Sequence, residues 1–233
     1  MDQHYEFDEP EELSITNILT EYLTYIILFI IAVFILPFLV LYPGIYYGRW
    51  KTKGPVFYMD TKDGTKIEGM MLTPPKPEET KYTILYLHGN SGNMGNNTHL
   101  LSQLCEYTNS YVLSIDYRGF GMSYGFPSES GLINDAESIF ERITNDEKFK
   151  DTKKIIYGHS LGGAVALAIA KKYSSEIDGL ILENTFTCIK EYATIRFKKV
   201  VDYIPDFILD IILYPNSWDS KSRIKDLDKN TKI

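Results

Sequence analysis

Lys153–Ala164 reads KKIIYGHSLGGA: an apolar run of strand length, the pentapeptide Gly158-His159-Ser160-Leu161-Gly162, and the first residues of an Ala-rich helix. This is the pattern of a tight strand-to-helix turn that lifts a serine hydroxyl to the carboxyl edge of a sheet. Glycines two residues either side let neighbouring backbone approach without a Cβ clash. The helix that follows directs free N–H groups and its positive dipole end at the same spot. The bare pattern arises by chance in about one chain in ten of this length. Its position at a predicted turn, followed by Gly163-Ala164, makes it specific.

Upstream, Val56–Asp60 and Lys66–Leu72 read as strands of a hairpin turning at Asp63-Gly64. Thr73-Pro74-Pro75-Lys76-Pro77 ends that unit. Tyr82–Leu87 is a continuous apolar run, as expected of a strand covered on both faces. The glycine-rich His88–Asn97 follows, then a helix over about Thr98–Tyr107, a strand at Tyr111–Ile115, and the turn Asp116-Tyr117-Arg118-Gly119. Leu132, Ala136, Ile139, Phe140 and Ile143 recur at helical spacing. After the serine come a helix over Leu161–Tyr173 and a strand at Ile177–Leu182. Strands alternating with helices of this length predict βαβ units on a largely parallel sheet. Residues 185–215 break the rhythm with two apolar helical stretches around Pro205. They read equally as a lid over a site or as helices packed on the core.

Two further groups belong with Ser160. The loop His88-Gly89-Asn90-Ser91-Gly92 lies at a strand's carboxyl end, where this architecture supplies one N–H of an oxyanion hole and the residue after the serine supplies the other. Leu161 and either Asn90 or Ser91 are therefore the expected donors. A phosphate-cradling loop is the competing reading, but no Gly-Lys-Ser/Thr follows. Glu183, at the end of the Ile177–Leu182 strand, is an alternative candidate acid; the bland reading has it capping Thr185 or its neighbours. No histidine follows Ser160, although a general base is expected downstream. Of the four present, His4 precedes the apolar segment, His88 opens the loop, His99 starts a helix and His159 adjoins the serine. None is placed to reach Ser160, and His88 is expected to position its turn by hydrogen bonding.

Together, His88-Gly89-Asn90-Ser91-Gly92-Asn93, Asp116-Tyr117-Arg118-Gly119-Phe120-Gly121, Pro127-Ser128-Glu129 with Asp135-Ala136, Gly158–Ala166 and Glu183-Asn184-Thr185-Phe186 resemble the α/β-hydrolase domain-containing protein 13-like family of single-pass membrane serine hydrolases. The chain is more loosely similar to the 17 subgroup, which removes palmitoyl groups from proteins. The resemblance runs from about Lys53 onward. It implies an α/β-hydrolase fold, Ser160 as nucleophile, Leu161 and the Asn90 region as oxyanion hole, and Asp116 and Arg118 as a turn shaping the pocket. It also implies an acid after a seventh strand and a histidine after an eighth. The expectation is thus a hydrolase domain over 53–233 lacking its last strands, with Ile177–Leu182 left as an exposed sheet edge. An ester or thioester of an acyl lipid or acylated protein is the expected substrate; a catalytically inactive, membrane-bound interaction module is the alternative.

Composition bounds the rest. A net charge of −7 with interspersed signs argues against nucleic-acid binding. Cys105 and Cys188 suit core positions or one bridge. No metal or cofactor is indicated. Residues 22–48 carry no charge, and Ile26 to Leu41 is almost wholly apolar, so a transmembrane helix is expected there. A cleaved signal peptide fits poorly, because residues 1–21 hold seven acidic side chains and no Lys or Arg. That N-terminal stretch is expected to be flexible. Tyr22, Tyr25, Tyr42, Tyr46, Tyr47 and Trp50 sit where interfacial aromatics belong. Arg49, Lys51 and Lys53 place the large domain on the cytoplasmic face by the positive-inside bias, although Asn96-Asn97-Thr98 matches a glycosylation acceptor.

Overall fold

The computed structural model describes residues 15–30, 42, 54–196, 198, 205–213, 216–227 and 232. The chain forms two compact units, Met1–Leu39 and Val40–Ile233. In the first, α1 spans Ile15–Ile30. The helix therefore starts inside the stretch expected to be flexible. The expected span 22–48 falls largely outside the described residues, and among these no helix is long and apolar enough to cross a membrane. Tyr42, read as an interfacial aromatic, is instead buried in the second unit, with its hydroxyl donating to Asn216 Oδ1 at 2.6 Å.

The second unit is built on one sheet. Its strands are β1 (Val56–Asp60), β2 (Lys66–Leu72), β3 (Tyr82–Leu87), β4 (Tyr111–Ile115), β5 (Lys153–His159) and β6 (Gly179–Glu183), in spatial order β1-β2-β4-β3-β5-β6. β1, β2 and β4 pair antiparallel, while β4, β3, β5 and β6 run parallel. The helices are α2 (Thr98–Thr108), α3 (Glu129–Asn145), α4 (Leu161–Lys172), α5 (Ile189–Arg196), α6 (Asp206–Leu213) and α7 (Ser220–Lys225). This is the expected α/β architecture. One shift matters: the sixth strand begins at Gly179 and includes Glu183, so Glu183 pairs opposite His159 instead of following the strand.

Packing explains the elements. Leu132, Ala136, Ile139, Phe140 and Ile143 form the buried face of α3, as their spacing predicts. α4 is buried through Val165, Ala166, Leu167, Ile169 and Ala170. Its small side chains let it lie close against the sheet. β6 closes the sheet among the described residues; Ile181 is 46% exposed, and the Leu180 N–H donates to the Lys232 carbonyl at 2.9 Å. In the expected insertion, α5 and α6 bury Ile189, Ala193, Leu209 and Leu213 and expose Ile195, Phe207 and Ile211. Its exit is fastened to the N-terminus of α3. The buried Glu129 carboxylate accepts from the Trp218 N–H at 2.8 Å and from Arg223, and the Glu129 N–H donates to Asn216 Oδ1. Both cysteines are free, Cys105 in the core and Cys188 half-buried.

Arg118 ties three elements together. Its guanidinium donates to Asp135 of α3 at 2.7 Å and to Asp63 of the β1–β2 turn at 2.8 Å, while its backbone N–H reaches Asp135 Oδ2 at 2.7 Å. Arg118 holds the Asp63 carboxyl well below the usual carboxylate range. Asp135 is fully buried, whereas the Asp63 side chain is 41% exposed. Removing the buried partner strands a charge; removing the exposed one does not. Asp135→Ala is therefore expected to cost about 3 kcal/mol or more in urea unfolding, and Asp63→Ala less than about 1 kcal/mol. Equal losses would contradict this ranking.

Candidate active site

Ser160 sits between β5 and α4 with φ 53° and ψ −115°, a left-handed conformation that few non-glycine residues adopt. Three bonds hold it there. Its N–H donates to the Glu183 carbonyl at 2.8 Å, and its own carbonyl accepts from Gly163 N–H at 3.0 Å and from Thr185 Oγ1 at 2.9 Å. The flanking glycines are required by space. A Cβ on Gly162 would stand 1.9 Å from the Leu87 carbonyl oxygen, and one on Gly158 would stand 2.4 Å from the Gly162 carbonyl oxygen. The first turn of α4 is thereby pressed onto the ends of β3 and β5. Ser160 itself stays half-buried.

The glycine-rich loop lies against this turn. A Cβ on Gly89 would come within 3.2 Å of Ser160 Cβ and 3.0 Å of His159 Nδ1. The chain that carries the Asn90 and Ser91 amides therefore passes beside Ser160. The Leu161 N–H belongs to the first turn of α4, whose amides have no acceptor inside the helix. The loop is shaped by Asn93, whose side chain accepts from Asn96 N–H while the Asn96 side chain accepts from Asn93 N–H, in a reciprocal cap. So the four residues singled out from sequence, Ser160, Leu161, Asn90 and Ser91, lie on two adjoining segments.

Among the described residues Glu183 does not cap Thr185 or its neighbours; its Oε2 accepts from the Tyr157 hydroxyl at 2.7 Å. Tyr157 in turn stacks edge-on with Tyr86 at 5.2 Å between centroids. Burial and the Glu183 carboxylate push the Tyr157 hydroxyl up to about 12. Sequence reasoning missed Thr185. Its hydroxyl buttresses the Ser160 carbonyl and its side chain fills the space a Gly163 Cβ would need. The signal was available in Glu183-Asn184-Thr185, where Asn184 also has a positive φ of 50°.

The described histidines are arranged as elimination suggested. His88 is fully buried and its Nδ1 lies 2.7 Å from the Gly89 carbonyl. His159 packs on Gly89, and His99 is exposed on α2. Among the described residues, nothing is hydrogen-bonded to Ser160 Oγ. Nor do three His, Cys, Asp or Glu side chains among them gather in a way that could hold a metal ion.

A family model described as "Hydrolase_4: Serine aminopeptidase, S33" matches residues 78–233. Protein bem46 of Schizosaccharomyces pombe is 35% identical over 169 residues, covering 72% of this chain and 54% of that protein. The lysophosphatidylserine lipase ABHD12 of Xenopus tropicalis is 36% identical over 167 residues, covering 69% of this chain and 41% of the lipase. The chain thus spans about half the length of the curated relatives it matches. An α/β-hydrolase from Vibrio vulnificus superposes with a TM-score of 0.63 at 19% identity, over 99% of this chain and 79% of that one, which shows the α/β-hydrolase fold.

If the Ser160 turn stores strain, relieving it must show. Ser160→Gly is expected to be more stable than Ser160→Ala by about 1 kcal/mol, because glycine adopts positive φ without cost. Thermal or urea unfolding of the two variants measures this. An alanine variant as stable as the glycine variant would show an unstrained turn.

Proposed function

Because the chain belongs to the serine aminopeptidase S33 family of α/β-hydrolases, we propose that it is a serine hydrolase in which Ser160 attacks the acyl carbon of an ester or thioester. The observation that carries this reading is Ser160 at φ 53° on the carboxyl edge of the sheet, with the Gly89 loop against it. Attack on a carbonyl puts negative charge on its oxygen. Leu161 N–H and the Asn90 or Ser91 N–H are the donors proposed to meet that charge, and the N-terminal end of α4 adds its dipole. As the Ser160 Oγ–acyl bond forms, the bond to the leaving group breaks and the alkoxide or thiolate takes up the proton that the Ser160 hydroxyl gives up. Water then adds to the acyl-Ser160, releasing the carboxylic acid and restoring the hydroxyl. Glu183, at the carboxyl end of β6, is the proposed alternative acid.

The substrate is proposed to be an acyl lipid or an acylated protein. The lysophosphatidylserine lipase among the relatives supports the lipid, and the exposed apolar residues of α5 and α6 suit such a ligand. A membrane anchor follows the same logic. The chain carries no charge from Tyr22 to Gly48, Tyr42 already belongs to the globular unit, and Arg49, Lys51 and Lys53 favour a cytoplasmic hydrolase domain. The alternative is a hydrolase-like, membrane-bound interaction module without turnover.

Hydrolysis of a p-nitrophenyl fatty-acyl ester and of a lysophospholipid, against an aminoacyl p-nitroanilide, separates these readings. The esters are expected to turn over and Ser160→Ala to lower kcat/KM by about 10⁴-fold or more. Cleavage of the anilide alone would overturn the acyl-ester reading, and no turnover of any would favour the module. Sedimentation with membranes in alkaline carbonate is expected; release to the supernatant would remove the anchor.

A further inference from the structure

His88 and Asp116 meet in the interior behind the glycine-rich loop. His88 follows β3 and Asp116 follows β4, and both are fully buried. The rings of Tyr117 and Phe120 pack on the His88 imidazole at 4.5 and 5.5 Å between centroids. His88 Nδ1 stands 2.7 Å from the Gly89 carbonyl, which only accepts, so Nδ1 carries a hydrogen. Asp116 Oδ1 accepts from the Met94 N–H at 2.5 Å, which reaches the far end of the same loop. Gly121 closes against the other carboxyl oxygen: a Cβ there would lie 1.8 Å from Asp116 Oδ2.

His88 Nε2 faces Asp116 Oδ1 at 3.5 Å, and among the described residues neither His88 Nε2 nor Asp116 Oδ2 has a hydrogen-bond partner. A neutral imidazole with its hydrogen on Nδ1 offers only a lone pair at Nε2. An ionised carboxylate likewise offers only lone pairs. The His88 lone pair therefore faces a carboxylate that gives it no hydrogen, and the second carboxylate oxygen, Oδ2, is left without a partner while Oδ1 is engaged by Met94. A proton on the carboxyl, donated to Nε2, gives the imidazole its missing partner and removes the unpaired buried charge.

We propose that a single proton is shared between His88 Nε2 and Asp116, forming a buried clasp that fixes the Gly89–Gly92 loop beside Ser160, and that Asp116 is a positioning residue for that site. The positioning half rests on the proposed role of this loop in catalysis; the clasp itself does not. Shifts of the two groups agree with the geometry. Burial raises the Asp116 carboxyl to about 7, opposed by the Met94 N–H and helped by the Glu68 carboxylate of β2. Burial also lowers the His88 imidazole to about 4, opposed by the Gly89 carbonyl and helped by His159 of the Ser160 turn. Tyr117 also packs on the pair; its hydroxyl donates to the His88 carbonyl and is pushed up by burial.

A shared proton has a signature in stability. Near pH 5 the unfolded chain holds an ionised Asp116 and a charged His88; the folded pair holds a protonated Asp116 and a neutral His88. The proton count is the same, so the pair gives a nearly flat contribution between about pH 4 and 6.5. Each residue alone does not. With Asp116 removed, the depressed His88 refuses the proton that the unfolded chain takes up, so stability falls as pH drops from about 6.5 to 4. With His88 removed, the raised Asp116 keeps a proton that the unfolded chain loses, so stability falls as pH rises from about 4 to 7.

Urea unfolding of the full chain in detergent micelles, at a series of pH values, tests the clasp without any assay of activity. Relative to the parent chain, Asp116→Asn is expected to lose midpoint concentration toward acid pH, and His88→Gln toward neutral pH. Changes of the same sign, or pH profiles parallel to the parent's, would overturn the shared proton. Turnover tests the positioning role. Asp116→Leu is expected to lower kcat about 100-fold with KM changed less than about 3-fold, and Asp116→Asn, whose amide N–H can donate to Nε2, to recover most of it. Failure of asparagine to do better than leucine would remove Asp116 as a positioning residue. A parent chain without turnover would strike the catalytic reading and leave the opposed pH profiles standing.

Discussion

The close approach of α4 to the end of β3 is the constraint on which the rest of this site depends. Gly162 lies so near the Leu87 carbonyl that no side chain fits. That contact fixes where α4 begins, and with it the direction of its first amides. It also forces the residue before the helix into a left-handed conformation, which is why Ser160 carries a positive φ. Folding supplies the strain through the burial of Val165, Leu167 and Ile169 on the sheet. A cost of about 1–3 kcal/mol for such a backbone is small beside that burial.

The second part of the arrangement comes from the neighbouring strand ends. β3, β4, β5 and β6 are parallel, so their carboxyl ends gather at one edge. The loop after β3, the Asp116 turn after β4, Ser160 after β5 and Thr185 after β6 are neighbours for that reason alone. Polar contacts brace them: Arg118 of the β4 turn with Asp135, and Thr185 after β6 with the Ser160 carbonyl. The site is thus assembled from four separate loops gathered at one edge of the sheet.

Much of this was legible in the residues. Continuous apolar runs at Tyr82–Leu87 and Tyr111–Ile115 mark strands covered on both faces, and Asp63-Gly64 marks the hairpin, because those patterns are local. The position of Ser160 was legible because the glycines around it answer a steric need that few other turns have. Three things were not. The partner of Glu183 depends on strand register, which places Tyr157 two residues before His159 on the same side of the sheet edge, and no local pattern carries that. Buried Tyr42 bonds to Asn216, which is 174 residues away in sequence. The start of α1 at Ile15 lies in an acidic stretch whose charge suggested a flexible chain.

The account as a whole stands on Ser160 being a reactive hydroxyl at an accessible turn. Intact-mass analysis after treatment with a fluorophosphonate, followed by peptide mapping, asks this directly. One phosphonyl adduct per chain, carried by the peptide containing Ser160 and absent after heat denaturation, is the predicted result. An unmodified chain, or an adduct spread over other serines, would contradict the account.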